Sequence, residues 1–166
     1  MTRILLVGYD PDAVDFADPA LPAGMTAEKI RAGIAAALKQ FAARGWEADV
    51  GFIWPDETAG PTVERLLAST SYDCVVIGAG VRLPPQRVAV FEAVINAVHK
   101  AAPGGAIAFN TTPEDSADAA ARWLPPGGRP RGCRRGSSPL KAAWPCLLLS
   151  MFVGHRSSAL QAERNG

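Results

Sequence analysis

Four times in its first 124 residues the chain passes from a short apolar stretch into an amphipathic one, and this alternation constrains the fold more than any other feature. The apolar stretches fall at 3–7, 49–54, 73–78 and 106–109, the clearest being Ile4-Leu5-Leu6-Val7 and Cys74-Val75-Val76-Ile77. A continuous apolar run, without polar alternation, is the pattern of a strand covered on both faces. Strands that alternate with helices build a parallel sheet with right-handed crossovers and helices on both sides.

Each segment between the strands carries helix punctuation. Thr26 is placed to cap a first helix, Glu28 follows in its first turn, and Ile30, Ile34, Leu38 and Phe41 recur at three- and four-residue spacing. Gly45 supplies the left-handed residue that ends it. Gly60 and Pro61 introduce a second helix carrying Val63, Leu66 and Leu67, with the proline at its first position. A third helix after Pro85 presents Val88, Phe91, Ile95 and Val98 on one face and stops near Pro103-Gly104-Gly105. The fourth opens at Thr112-Pro113-Glu114-Asp115, where a cap, a first-position proline and first-turn acids coincide. It carries Ala117, Ala120, Ala121 and Trp123.

The expected fold is therefore α/β, a doubly wound three-layer domain over residues 1–124 with four parallel strands in the order 2-1-3-4. A fifth strand is available over 146–153. The segments Ile77-Gly78-Ala79-Gly80-Val81-Arg82 and Phe109-Asn110-Thr111-Thr112-Pro113 form a paired signature, and with this layout the chain resembles small Rossmann-like or flavodoxin-like α/β proteins. The resemblance implies a ligand at the carboxyl ends of the strands and names no reaction.

Composition changes abruptly after the fourth helix. Residues 1–125 carry 10 Lys and Arg against 15 Asp and Glu, a net of −5, whereas 126–166 carry 7 against 1, a net of +6. The stretch 127–139 is rich in Gly, Pro, Arg and Ser and offers little to bury, so 125–166 reads as a basic, mostly irregular tail. The same mixture is what a shifted reading frame in GC-rich DNA encodes. The tail has Trp144 but no aromatics interleaved with its arginines, which argues for a solvated linker over a nucleic-acid contact. Three cysteines, one of them in a strand, fit a reduced, cytoplasmic protein without a disulfide framework. No secretory leader is recognisable, and no run approaches the ~18 apolar residues that span a bilayer.

In an open α/β sheet, ligands bind where the strand order reverses, here between the first and third strands. Two loops meet there, one beginning Gly8-Tyr9-Asp10 and the other Gly78-Ala79-Gly80-Val81-Arg82. Val75-Val76-Ile77-Gly78-Ala79-Gly80 resembles the opening of a dinucleotide-binding fingerprint. Leu83 stands at the third glycine position, however, and Pro84-Pro85 follow. Two glycines making a tight strand-to-helix turn fit better than a dinucleotide site.

The expected ligand is thus a small anion, phosphate- or nucleotide-like, lined by Asp10, Gly78, Gly80, Arg82 and Asn110. The glycines would permit close backbone approach, and Arg82 would supply positive charge. Asn110 would donate from its amide, and Asp10 would orient a hydroxyl, hold a cation or act as a base. Asp10, Asp12 and Asp15 are more simply turn residues, and no metal ligand set is expected. There is no nucleophile elbow, Walker loop or Cys-x-x-Cys, so catalysis and cofactor stay unassigned. The alternative is a non-catalytic module that self-associates as a homo-oligomer through exposed sheet edges and apolar helices.

Overall fold

The computed structural model describes residues 1–18, 21 and 23–124, and the expected tail, with its candidate strand at 146–153, lies outside them. Four strands, β1 (Arg3–Tyr9), β2 (Glu47–Ile53), β3 (Cys74–Ile77) and β4 (Ala106–Phe109), form one sheet in the order β2-β1-β3-β4. Every pairing is parallel, with Ile4 opposite Cys74 and Val7 opposite Ile77 across β1 and β3, and Ile77 opposite Phe109 across β3 and β4. Each strand begins or ends within two residues of the position read from the apolar runs.

Alternation within the strands divides the core into two layers. Leu5, Val7, Val75 and Ile77 face one way and pack with Val63 and Leu67 of α2 (Ala59–Ser69) and Val94, Ala97 and Val98 of α4 (Val88–Ala101). Ile4, Leu6, Cys74, Val76 and Ala108 face the other way. They pack with Ala37 and Phe41 of α1 (Ala27–Ala43) and Ala117, Ala119 and Ala120 of α5 (Ser116–Ala121). The helix after β1 and the helix after β3 therefore cover opposite faces, which opens a crevice between the carboxyl ends of those strands.

The helix boundaries follow local chemistry. Thr26 accepts the Lys29 N–H at 3.3 Å and caps α1, and Gly45 takes φ +71 just beyond its end. In α2 the proline falls at the third helical position, not the first. That is harmless, since the N–H groups of the first turn have no intrahelical partner. Before α5, Thr112 and Asp115 form a reciprocal capping box around the 3-10 turn Pro113–Asp115.

The helical stripes differ from expectation by a rotation. The buried positions of α1 are Gly33, Ala37 and Phe41, while Ile30, Ile34 and Leu38 stay partly exposed. In α4 the buried face is Val94, Ala97 and Val98, and Val88 is 50% exposed. In α5 the small residues go inward and Trp123 lies on the surface. In α5 the inward face is made by alanines and Ser116, and in α1 Gly33 and Ala37 share it with Phe41. No helix among the described residues is long and apolar enough to cross a membrane.

Candidate functional site

A cavity of about 780 Å³ opens at the crevice between β1 and β3. It reaches from the ends of those strands to the amino-terminal half of α1. Its floor is Leu6, Val7 and Val50 from the sheet, its wall is Ile30, Gly33 and Ile34 of α1, and Val14, Leu21 and Met25 of the β1–α1 connection close one side. The β3–α4 segment, through Gly78 to Val81, Leu83 to Pro85 and Arg87, and the β4–α5 turn, from Asn110 to Glu114, complete it. Most of this lining is apolar. Ile30 and Ile34, which by spacing alone belong to the core stripe, face the cavity instead.

Of the residues singled out in the sequence, Gly78, Gly80 and Asn110 meet at the cavity, whereas Asp10 and Arg82 do not line it. Gly78 ends β3 against β1, donating its N–H to the Val7 carbonyl at 2.8 Å. A Cβ at Gly8 or Gly80 would meet nothing within 4 Å, so backbone stands open at both strand ends.

Asn110 is 2% exposed and acts as a brace. Its Oδ1 accepts the Ala79 N–H at 2.8 Å, and its Nδ2 donates to Ser116 Oγ at 2.8 Å. Ser116 in turn donates to the Pro113 carbonyl at 2.6 Å. The β3 and β4 loops are thereby locked to each other.

Arg82 closes the one-turn helix α3 (Ala79–Arg82), which forms ahead of Pro84-Pro85. That turn carries its guanidinium 5.6 Å over the Phe109 ring, where Nη2 donates to the Asn110 carbonyl at 3.0 Å. The Ala79 N–H and Arg82 Nη2 are thus engaged within the protein, while Arg82 Nε is buried without a hydrogen-bond partner among the described residues.

The aspartates after β1 have separate tasks. Asp10 accepts the Asp12 N–H at 2.9 Å and caps the 3-10 turn Pro11–Ala13, Asp12 pairs with Arg31, and Asp15 accepts the Ala17 N–H at 3.0 Å. Among the described residues no three His, Cys, Asp or Glu side chains gather as a metal site would require. Cys74 is buried within β3, and burial, with a smaller push from the Asp73 charge, raises its thiol to about 12. It packs as a small hydrophobe.

The polar groups that matter here are ones the sequence reading passed over. Lys29 and Arg87 line the cavity, and neither pairs with a carboxylate among the described residues; Lys29 donates to the Gly24 carbonyl at 2.6 Å. The Arg87 guanidinium lies 5.3 Å over the ring of Tyr9. The Tyr9 hydroxyl is buried, and its O–H has no acceptor among the described residues. Burial raises the Tyr9 pKa, and the positive charge of Arg87, with a hydrogen bond from its guanidinium, offsets part of that rise. Two sequence signals bear on these residues. The odd-numbered side of β1 continues from Leu5 and Val7 to Tyr9, and Arg87 follows the double proline that redirects the chain.

No protein-family model matches this chain, and no curated protein matches it. The reading of the site rests on its geometry.

Proposed function

We propose that the protein binds a small molecule in the cavity between the carboxyl ends of β1 and β3, and that the body of this molecule is apolar. One observation carries the reading: Ile30 and Ile34, the long apolar side chains in the first half of α1, border an open cavity instead of the core, which that helix enters through Ala37 and Phe41. A volume of about 780 Å³ falls in the range of small-molecule sites, roughly 300–1,000 Å³. The layout supports a Rossmann-like or flavodoxin-like domain put to that use. The phosphate- or nucleotide-like ligand expected from the glycine turn finds less support, because Asn110 takes the Ala79 N–H and Arg82 does not line the cavity.

Fluorescence titration of the full chain with the neutral dye Nile red tests this. Saturable binding near one dye per chain is expected, together with its loss in Ile34→Trp, which fills the cavity. A folded protein that shows no saturable uptake would sink the reading. Stabilisation by AMP without dye binding would favour the phosphate-like ligand instead.

A second reading, self-association, is favoured by one feature. β2 is an edge strand, and its end exposes Phe52 at 42% and Trp54 at 53%. Exposed edges with aromatic side chains invite pairing with another copy. Sedimentation of the full chain should find a dimer that Trp54→Lys dissociates if this reading holds, and a monomer if it does not.

A further inference from the structure

We infer that the ligand of this cavity is an apolar acid, its hydrocarbon body lying under α1 and its carboxylate held by Arg87 beside Tyr9. The inference rests on the cavity being a ligand site and goes further by naming the class of molecule. Three observations meet at one place. The lining is mostly apolar, with Leu6, Val50, Ile30 and Ile34 among it, and suits a hydrocarbon. Arg87 lines the same cavity with no carboxylate partner among the described residues. The Tyr9 hydroxyl next to it is buried; the Arg87 guanidinium can donate to it, but its own O–H has no acceptor among the described residues, an arrangement that costs stability until one arrives.

A carboxylate meets both needs. It accepts in bidentate fashion from a guanidinium and has a lone pair left for a phenol O–H. An alcohol could satisfy Tyr9 but would leave the charge of Arg87 unpaired, and an amine would set two cations against each other. Three acids also line the cavity, Asp15, Asp18 and Glu114, and Asp18 has a partner of its own. Glu114 stands against α1, its Oε1 3.0 Å from where a Cβ on Gly33 would be, and the Asp15 carboxylate accepts the Ala17 N–H. Lys29 adds a second positive charge to the lining.

Calorimetric titration of the full chain with octanoate, octanol and octylamine separates this inference from the reading beneath it. The three share a tail and differ only at the head. Octanoate is expected to bind about tenfold or more tightly than octanol, the usual weight of a charge-assisted hydrogen bond, and octylamine more weakly than either. Arg87→Gln should remove the advantage of octanoate while leaving octanol affinity in place, and Tyr9→Phe should reduce it by a smaller factor. Octanol binding that Arg87→Gln leaves intact also shows that the variant is folded. Equal affinity for acid and alcohol, or tighter binding of the amine, would overturn the acid assignment and leave the apolar site standing. No binding of any of the three by a cooperatively melting protein would overturn both.

Discussion

At the scale of single residues, Asn110 shows how far a side chain can be placed from sequence and where placement stops. Its position at the end of β4, beside the glycine turn of β3, follows from the strand pattern. The partner of its amide does not, because that depends on the one-turn helix Ala79–Arg82 bringing the Ala79 N–H within 2.8 Å. The same turn takes Arg82 to Phe109 and leaves Arg87, five residues on, at the cavity. Side-chain direction after a turn is set by a few backbone dihedrals, which a residue list does not contain.

Asn110→Ala strands the part-buried Ala79 N–H and leaves Ser116 without its amide partner, and should cost about 2 kcal/mol. The thermal midpoint should fall by roughly 5–10 °C in a domain of this size, and an unchanged midpoint would remove Asn110 from its bracing role. Asp115 offers a pH test. Partial burial pushes its pKa up, but hydrogen bonds from the Thr111 hydroxyl, Thr111 N–H and Thr112 N–H, with the charge of Arg122, hold it below the usual carboxylate value. Its contribution, at most about 1 kcal/mol for a cap of this kind, is complete above the unfolded-state pKa of about 3.9. It is lost as pH falls through the lower folded value. Urea midpoints of wild type and Asp115→Asn should therefore differ at neutral pH and converge as the pH drops below about 4.

At the scale of elements, the alternation of strand and helix was legible almost to the residue, and the orientation of the helices was not. Periodicity says that α1 has an apolar stripe; it does not say which flank of that stripe meets the sheet. The structure turns α1 by about one position, so that Ala37 and Phe41 enter the core, Gly33 is buried where the helix meets the β4–α5 turn, and Ile30 and Ile34 border the cavity. The reason is the approach of α1 to the β4–α5 turn. A Cβ on Gly33 would lie 2.9 Å from Pro113 Cβ and 3.0 Å from its Cγ, so glycine stands mid-helix although alanine favours helix by about 1 kcal/mol. Gly33→Leu should push α1 off that turn and destabilise the domain by about 3 kcal/mol. The same displacement should weaken Nile red binding, since Ile30 and Ile34 ride on the helix. Normal stability in Gly33→Leu, measured by urea unfolding, would mean that the contact with Pro113 yields easily and does not set the helix position.

At the scale of the whole molecule, the strand order follows from chain economy. A first crossover to one side and a second to the other place β1 and β3 in the centre and set the helices after them on opposite faces, with the crevice as a by-product. That crevice could be located from sequence, whereas its chemistry had to come from side-chain directions. The change of composition after residue 124 leads to a last prediction. Both core layers are assembled, among the described residues, from positions 4 to 124, and Leu124, 5% exposed, belongs to the layer beneath α1 and α5. A fragment of residues 1–124 should therefore melt cooperatively within a few degrees of the full chain. A fragment of residues 1–118 removes Ala119, Ala120 and Leu124 from that layer. Losing one large buried aliphatic side chain alone costs about 2–5 kcal/mol, so this shorter fragment should lose most of its cooperative transition. The pair of melts locates the domain boundary from both sides. Failure of the 1–124 fragment to fold would show that residues beyond 124 contribute to the core, and a cooperative 1–118 fragment would show that the layer under α5 is dispensable.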